Sequence, residues 1–260
     1  MRRCGLDTVN VVVRKGYWTE PENLARTLPE YIRVMETELG RRPHLATMAL
    51  PATELTARPH LIETLAEHGI REFRMGYFRR QAGEDVATAV SRSRRELEAL
   101  LRVCEGCDVK VIYQVHHGTL FSNSWAVWQL VKGFNPRHVG VMLDPGNQFM
   151  EGWENWSDAF SRLKGYLCAL GIKDAWMQRR PDDENLRTGN KGWYKELGVP
   201  IDEGCVNWGD LLRVLKTYEF RGTFVFMPFY EKEDSERHCT VLQREVQYMR
   251  RLLKEMEAAG

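Results

Sequence analysis

The sequence contains no apolar run close to the length of a membrane-spanning helix and no large excess of charge of either sign. Spanning a bilayer takes about 20 consecutive apolar residues, and no segment approaches that length. Lys and Arg together number 37, against 36 Asp and Glu. Balanced charge creates no strong field to attract nucleic acid or an anionic membrane surface. We therefore expect neither nucleic acid nor a membrane as a partner.

Cysteine is sparse and scattered, with six residues at positions 4, 104, 107, 168, 205 and 239. Cys104 and Cys107 have C-x-x-C spacing, but no second pair and no histidine at zinc-finger spacing accompany them. This pattern favours reduced thiols in a cytoplasmic protein over a disulfide framework.

At the N-terminus, Asp7 and Asn10 interrupt a short apolar stretch, which we interpret as a first strand rather than a signal peptide.

Strand-like and helix-like segments alternate from end to end, which predicts a parallel β/α architecture. The chain has 260 residues, and a (β/α)8 TIM barrel takes about 250. We expect one barrel domain over residues 1–260, with a long charged loop at about 177–198. The predicted strands cover 9–14, 44–50, 71–77, 109–115, 138–143, 167–172, a short segment near Val199, and 223–227.

Several polar residues follow directly on predicted strands, at the barrel face where TIM-barrel chemistry takes place. Gln114 and His116 share one face of their strand by its period of two, and His117 lies on the other. Asp144 ends the next apolar strand, although Asp-Pro-Gly is also favourable turn chemistry. Lys173 follows strand six, either as a site cation or as an ion-pair partner of Asp174 or of a neighbouring strand.

Three segments, VIYQVHHG (111–118), HVGVMLDPGN (138–147) and VPIDEGCVNWGDLLRVLKTYEFRGTFVF (199–226), resemble the sugar phosphate isomerase/epimerase family of xylose-isomerase-like TIM barrels. The resemblance implies a divalent metal, Mn, Mg or Zn, on four strand ends that carry Glu, Asp, His and Glu. The matching residues here are Gln114, Asp144, Gly171 and Met227, so three of the four ligands are changed. The sequence therefore predicts a divergent member with an incomplete metal site.

The resemblance also implies proton transfer beside the carbonyl of a small carbohydrate or sugar acid. If catalysis survives, His116 is the best base, Lys173 the best partner for an enediolate oxygen, and Asp144 the best orienting group. The expected substrate-binding residues are Gln114, His117, Asn147, Gln148, Arg74, Asp174 and Trp176. Dimerisation is common in that family, so a homodimer is a further expectation.

Two alternatives remain open at this point. In the first, the chain is a non-catalytic barrel that binds a carbohydrate or a protein partner through the same mouth. In the second, it has rebuilt a weak metal site from other residues. The best candidates for such a rebuilt site are Gln114, His116, Asp144 and Glu231. The DNA-repair endonuclease branch of the family is disfavoured, because the net charge is near zero and the many ligands of a three-zinc site are missing.

Overall fold

The computed structural model of the chain describes residues 2–179, 193–231 and 234–258. The strands are β1 (Val11–Val13), β2 (Leu45–Met48), β3 (Glu72–Arg74), β4 (Lys110–Gln114), β5 (Val139–Leu143), β6 (Leu167–Ile172), β7 (Asp174–Arg179), β8 (Trp193–Val199) and β9 (Thr223–Phe226). The helices are α1 (Leu24–Leu39), α2 (Ala52–Ala57), α3 (His60–Glu67), α4 (Val86–Cys107), α5 (Ser124–Val131), α6 (Pro145–Glu151), α7 (Trp156–Leu163), α8 (Trp208–Thr217) and α9 (Ser235–Ala258).

The centre of the molecule is a curled parallel sheet with the strand order β1-β2-β3-β4-β5-β6-β9. Its strands are short and apolar on both faces, as in VVV of β1 and VGVML of β5, which is typical of parallel strands covered on each side. One apolar cluster fills the inside of the barrel, and a larger one lies between the sheet and the helices. The inner cluster contains Leu45, Ile112, Met142, Ala169 and Met227.

The predicted TIM-barrel fold is confirmed, with one difference in strand pairing. The strand expected near Val199 forms as β8, but it pairs antiparallel with β7 instead of joining the seven-stranded sheet. Residues 177–179 and 193–198, predicted as loop, belong to this two-stranded ribbon, and 180–192 lie outside the described residues. A cross-strand contact stabilises the ribbon, because the Trp176 indole donates to Glu196 Oε2 at 3.0 Å.

The outer helices bury one apolar face each against the sheet. Trp208, Leu211 and Leu212 of α8 are buried in this way. Glycine, asparagine and aspartate residues cap several helix ends, for example Gly40 in the left-handed conformation after α1. No helix within the described residues combines the length and the apolar character that a membrane span requires.

Asp174 holds the segment after β8 against the end of the barrel. Its buried carboxylate accepts four hydrogen bonds at 2.7–3.1 Å. The donors are the backbone N–H groups of Ala175, Cys205 and Val206 and the indole N–H of Trp208. A side chain at Gly204 would begin 2.1 Å from the Asp174 carboxyl carbon, so this close approach requires glycine. Asp174 therefore has a structural role.

We expect Asp174→Ala to lower the free energy of unfolding by about 3–5 kcal/mol, because it leaves several buried donors without an acceptor. Urea denaturation followed by tryptophan fluorescence measures the change. Asp7→Ala, at an exposed position, is the matched control and should change stability by less than about 0.5 kcal/mol. A loss as small as the control's would show that the four hydrogen bonds do not hold this segment.

Candidate active site

A cavity of about 800 Å³ opens at the carboxyl ends of the barrel strands. Side chains at alternate positions of several strands point into it, as the two-residue period requires. The strand residues that line it include Val12, Thr47, Arg74, Gln114, Met142 and Val225. Residues just beyond strand ends complete the wall, among them Arg14, Tyr77, His116, Lys173 and Met227.

A buried carboxylate, that of Asp144, organises the wall of this cavity. Lys173 Nζ lies 3.0 Å from Asp144 Oδ2, and the Gln114 side-chain amide donates to the same oxygen at 2.6 Å. The other oxygen, Oδ1, accepts the backbone N–H of Asn147 at 3.0 Å and so caps α6. Tyr77 donates its hydroxyl to Gln114 Oε1 at 3.0 Å. Protein donors thus engage both oxygens of the carboxylate.

His116 presents a neutral imidazole to the cavity. Its Nδ1 lies 2.8 Å from the carbonyl oxygen of His117; because a carbonyl only accepts, Nδ1 carries the proton and Nε2 keeps its lone pair. The ring packs between Tyr77 and His117, with centroid distances of 4.6 and 4.7 Å. Burial lowers the pKa of His116 to about 4, and the nearby Lys173 ammonium also lowers it. The basic form of His116 is therefore present at neutral pH.

Gln114 and His116 line the cavity and His117 does not, as the strand period predicts. His117 instead donates from Nδ1 to Asn147 Oδ1 at 2.6 Å. Asn147 and Gln148 are buried within α6, and the Gln148 amide contacts Glu154. His117, Asn147 and Gln148 were predicted substrate contacts, and none of the three lines the cavity. Asn147 and Gln148 belong to α6, which begins immediately after Asp144, and His117 lies on the other face from Gln114 and His116.

Three other predicted site residues lie elsewhere. Asp174 is enclosed by its four backbone and indole donors and does not line the cavity. Trp176 lies on β7 and reaches the cavity only through Glu196, which does line it. Glu231 lies in the turn after β9, where its carbonyl oxygen is 3.1 Å from His238 Nδ1. Across the described ranges, no three His, Cys, Asp or Glu side chains are placed to hold an ion, so His116, Asp144 and Glu231 do not form a ligand set.

The four positions that match the family's metal ligands do converge. A side-chain carbon on Gly171 would lie 2.6 Å from Met227 Cε and 3.1 Å from Asp144 Oδ2. Met227 Sδ is 4.0 Å from the Gln114 amide nitrogen. The space between these strand ends is therefore filled by the Met227 methyl group and the Lys173 side chain.

Several cavity residues were not singled out by the sequence patterns. They are Asn10, Arg14, Tyr17, Thr47, Tyr77, Glu196, Phe229 and Tyr230. Asn10, Val12 and Arg14 alternate along the first strand, so the two-residue period would have placed them on one face. Thr47 lies on β2 and Glu196 on β8, whereas Tyr17, Tyr77, Phe229 and Tyr230 come from loops and turns, where no period indicates which way a side chain points.

Comparison with known proteins agrees with this architecture. The family model described as "Xylose isomerase-like TIM barrel" matches residues 59–252. The chain belongs to this family. No sequence among the curated proteins matches it.

Solved structures of xylose isomerase-like barrels share the fold at low identity. One is a Mycobacterium smegmatis member in complex with magnesium, with 15% identity, TM-score 0.67, and coverage of 98% of this chain and 86% of that one. Another is 3-keto-D-glucoside 4-epimerase from Escherichia coli, with 14% identity, TM-score 0.67, and coverage of 96% and 90%. A third is D-psicose 3-epimerase from Clostridium cellulolyticum with D-tagatose, with 16% identity, TM-score 0.66, and coverage of 96% and 90%.

We expect His116 to titrate near pH 4 in the folded protein, because burial opposes its charged form. The folded state then binds fewer protons than the unfolded state between about pH 4 and 6.5, so this group makes stability rise with pH over that window. NMR of histidine ring resonances measures the midpoint, and His116→Asn identifies the signal by removing it. A midpoint at or above about 6.5 would contradict the burial argument.

Proposed function

We propose that this barrel binds a small carbohydrate at its C-terminal mouth and moves a proton between positions beside the sugar carbonyl. The observation that carries the proposal is a neutral imidazole on the same cavity wall as a buried ammonium group. His116 and Lys173 both line the cavity, and Asp144 holds Lys173 in place. Two structural neighbours are described as a 3-keto-D-glucoside 4-epimerase and a D-psicose 3-epimerase.

The chemistry needs a base and a group that stabilises the oxygen on which negative charge develops. His116 Nε2 removes a proton from the carbon next to the carbonyl, and the electron pair moves onto the carbonyl oxygen. The Lys173 ammonium stabilises that enediolate oxygen. Return of the proton to the former carbonyl carbon, with the proton of the adjacent hydroxyl passing to the former carbonyl oxygen, gives an isomer. Delivery of a proton from water to the opposite face of the original carbon, with release of the abstracted proton from His116 to solvent, gives an epimer.

The donor set at the family's metal position does not suit a divalent ion. Mg²⁺ and Mn²⁺ prefer carboxylate and other oxygen ligands. Gly171 offers no side chain, and the Met227 thioether is a soft donor that does not suit these ions. Gln114 and Asp144 are already engaged, with each other and with Tyr77 and Lys173. The proposed reaction therefore has no step that involves a metal.

The cavity offers both apolar and polar contacts for a sugar. Tyr17 and Phe229 line its rim and are 54% and 59% exposed, so their rings are open to stacking. Deeper in, Asn10 Oδ1 is buried without a hydrogen-bond partner in the described part of the chain. Such an orphaned acceptor suits a sugar hydroxyl donor, because an unpaired buried polar atom is unfavourable.

A non-catalytic carbohydrate-binding barrel is the second candidate function. It is supported by the loss of three of the four family ligand groups, at Gln114, Gly171 and Met227. The same cavity, rim and polar contacts serve this function. The two candidates differ only in whether a bound sugar exchanges a proton with the protein.

We expect the wild-type protein to incorporate solvent deuterium into a ketose or aldose next to its carbonyl, measured by NMR in D₂O across a panel of sugars. His116→Asn should reduce the rate by about 10²–10⁴-fold, because it removes the general base. His60→Asn, at an exposed position at the start of α3, is the control and should leave the rate unchanged. Exchange that survives in His116→Asn would refute the assigned base, and sugar binding without any exchange would favour the non-catalytic function.

We expect Mn²⁺, Mg²⁺, Zn²⁺ or EDTA to change the melting temperature of the wild-type protein by less than about 1 °C, because a ligand stabilises only a state that binds it. The triple variant Gln114→Glu, Gly171→His, Met227→Glu restores the family's four ligand types and should gain a concentration-dependent rise with Mn²⁺. A saturable rise for the wild type would show that its donor set does hold a metal.

A further inference from the structure

The cavity contains more positive charge than its own carboxylates neutralise. The charged residues that line it are Arg14, Arg74, Lys173 and Glu196. Lys173 is paired with Asp144 at 3.0 Å, and Glu196 accepts from Trp176 across the ribbon. Within the described ranges, neither Arg14 nor Arg74 forms an ion pair with an acidic side chain. Three cations therefore share the cavity with the carboxylates of Glu196 and Asp144, and neither guanidinium is in an ion pair within the described ranges.

Arg74 is a buried cation with little protein support. Only 4% of it is exposed. Its guanidinium lies 5.0 Å from the centre of the Tyr77 ring and gives one hydrogen bond, at 2.9 Å, to the carbonyl oxygen of Met75. Burial lowers its pKa, and the charge of Arg14 adds to that effect. A buried charge is strongly unfavourable unless it is paired, so the free N–H groups of Arg74 are suited to an anionic partner.

Arg14 lies above Arg74 on the way to the mouth. Val12, Thr47 and Arg74 are in register across β1, β2 and β3. Arg14 follows Val12 by two residues on the same inward face, which raises it by about 7 Å along the strand. The Nε atom of Arg14 is buried and has no acceptor among the described residues. Both arginines therefore present unused donors to the same side of the cavity.

We infer that Arg14 and Arg74 form a binding site for an anionic group of the ligand, so that the substrate is a sugar acid or a phosphorylated sugar rather than a neutral sugar. Planar guanidinium groups match the oxygens of carboxylate and phosphate with paired hydrogen bonds. Arg14 follows β1 and Arg74 ends β3, whereas His116 and Lys173 follow β4 and β6. The anion would thus bind at one side of the cavity and the carbonyl at the other. This inference rests on the proposed function for the sugar part of the ligand.

The test is a binding comparison by calorimetry and thermal shift with four probes: D-glucose, D-glucuronate, D-glucose 6-phosphate and inorganic phosphate. We expect one of the anionic sugars to bind at least about tenfold more tightly than glucose, since hydrogen bonds to charged groups are the stronger ones. Glucuronate and glucose 6-phosphate distinguish a carboxylate from a phosphate. If glucose 6-phosphate is the preferred ligand, inorganic phosphate should displace it. If glucuronate is the preferred ligand, inorganic phosphate should displace it only weakly.

Arg14→Gln should abolish the preference for the anionic sugar, and Arg14→Lys should retain part of it. Arg74→Gln should also abolish the preference. Arg74 is buried, so its variant can fail to fold, and in that case the variants of the half-buried Arg14 provide the test. Arg33→Gln, on the exposed face of α1, is the control and should leave all affinities unchanged. Equal binding of glucose and the anions, no binding of any probe, or a preference that survives in Arg14→Gln would each overturn the inference.

The outcome separates this inference from the proposed function, because binding needs no turnover. An anion preference that depends on Arg14, without deuterium exchange into any sugar, would support the anion site and remove the proton-transfer function. Deuterium exchange into neutral sugars, without an anion preference, would support the function and remove the anion site.

Discussion

The ion pair between Asp144 and Lys173 is the contact on which the candidate site depends. It joins the ends of β5 and β6, and both side chains are almost completely buried. The same carboxylate orients Gln114 and caps α6. Breaking a buried pair of this kind leaves an uncompensated charge and typically destabilises a protein by about 3–5 kcal/mol. The strand ends are therefore held together by polar contacts that also set the positions of the site residues.

At the barrel mouth, the residues around Asp144 balance its charge and fill the space beside it. An isolated carboxylate at Asp144 would be strongly unfavourable without a cation, and Lys173 supplies that charge. Met227 fills the space that a side chain at Gly171 would otherwise enter, with its methyl carbon 2.6 Å from the hypothetical side-chain carbon. Close packing matters here, because a void at this depth would forfeit dispersion contacts. Lys173 thus balances the charge at this depth, and Met227 fills the volume.

The sequence predicted the barrel and the convergence of Gln114, His116, Asp144 and Lys173 because each follows a strand with a clear apolar pattern. The two-residue period also separated His116 from His117 correctly. Asp174 was predicted to contact the substrate, but protein donors enclose it. Three of its four donors come from residues 205–208, and no local sequence pattern indicates that this segment packs against the start of β7.

Asn147 and Gln148 lie in α6, which begins at Pro145, and the alternation of the preceding strand does not continue into a helix, so the strand pattern could not show which way these side chains point. Arg14 illustrates the remaining gap between sequence and site. The predicted first strand ended at this residue, yet nothing in its neighbours distinguishes an inward arginine from an exposed one. Only the register of β1 with β2 and β3 places it above Arg74. Positive charge that the barrel leaves unpaired at its mouth is then a property of the assembled strands, and it is the ground on which we propose an anionic ligand.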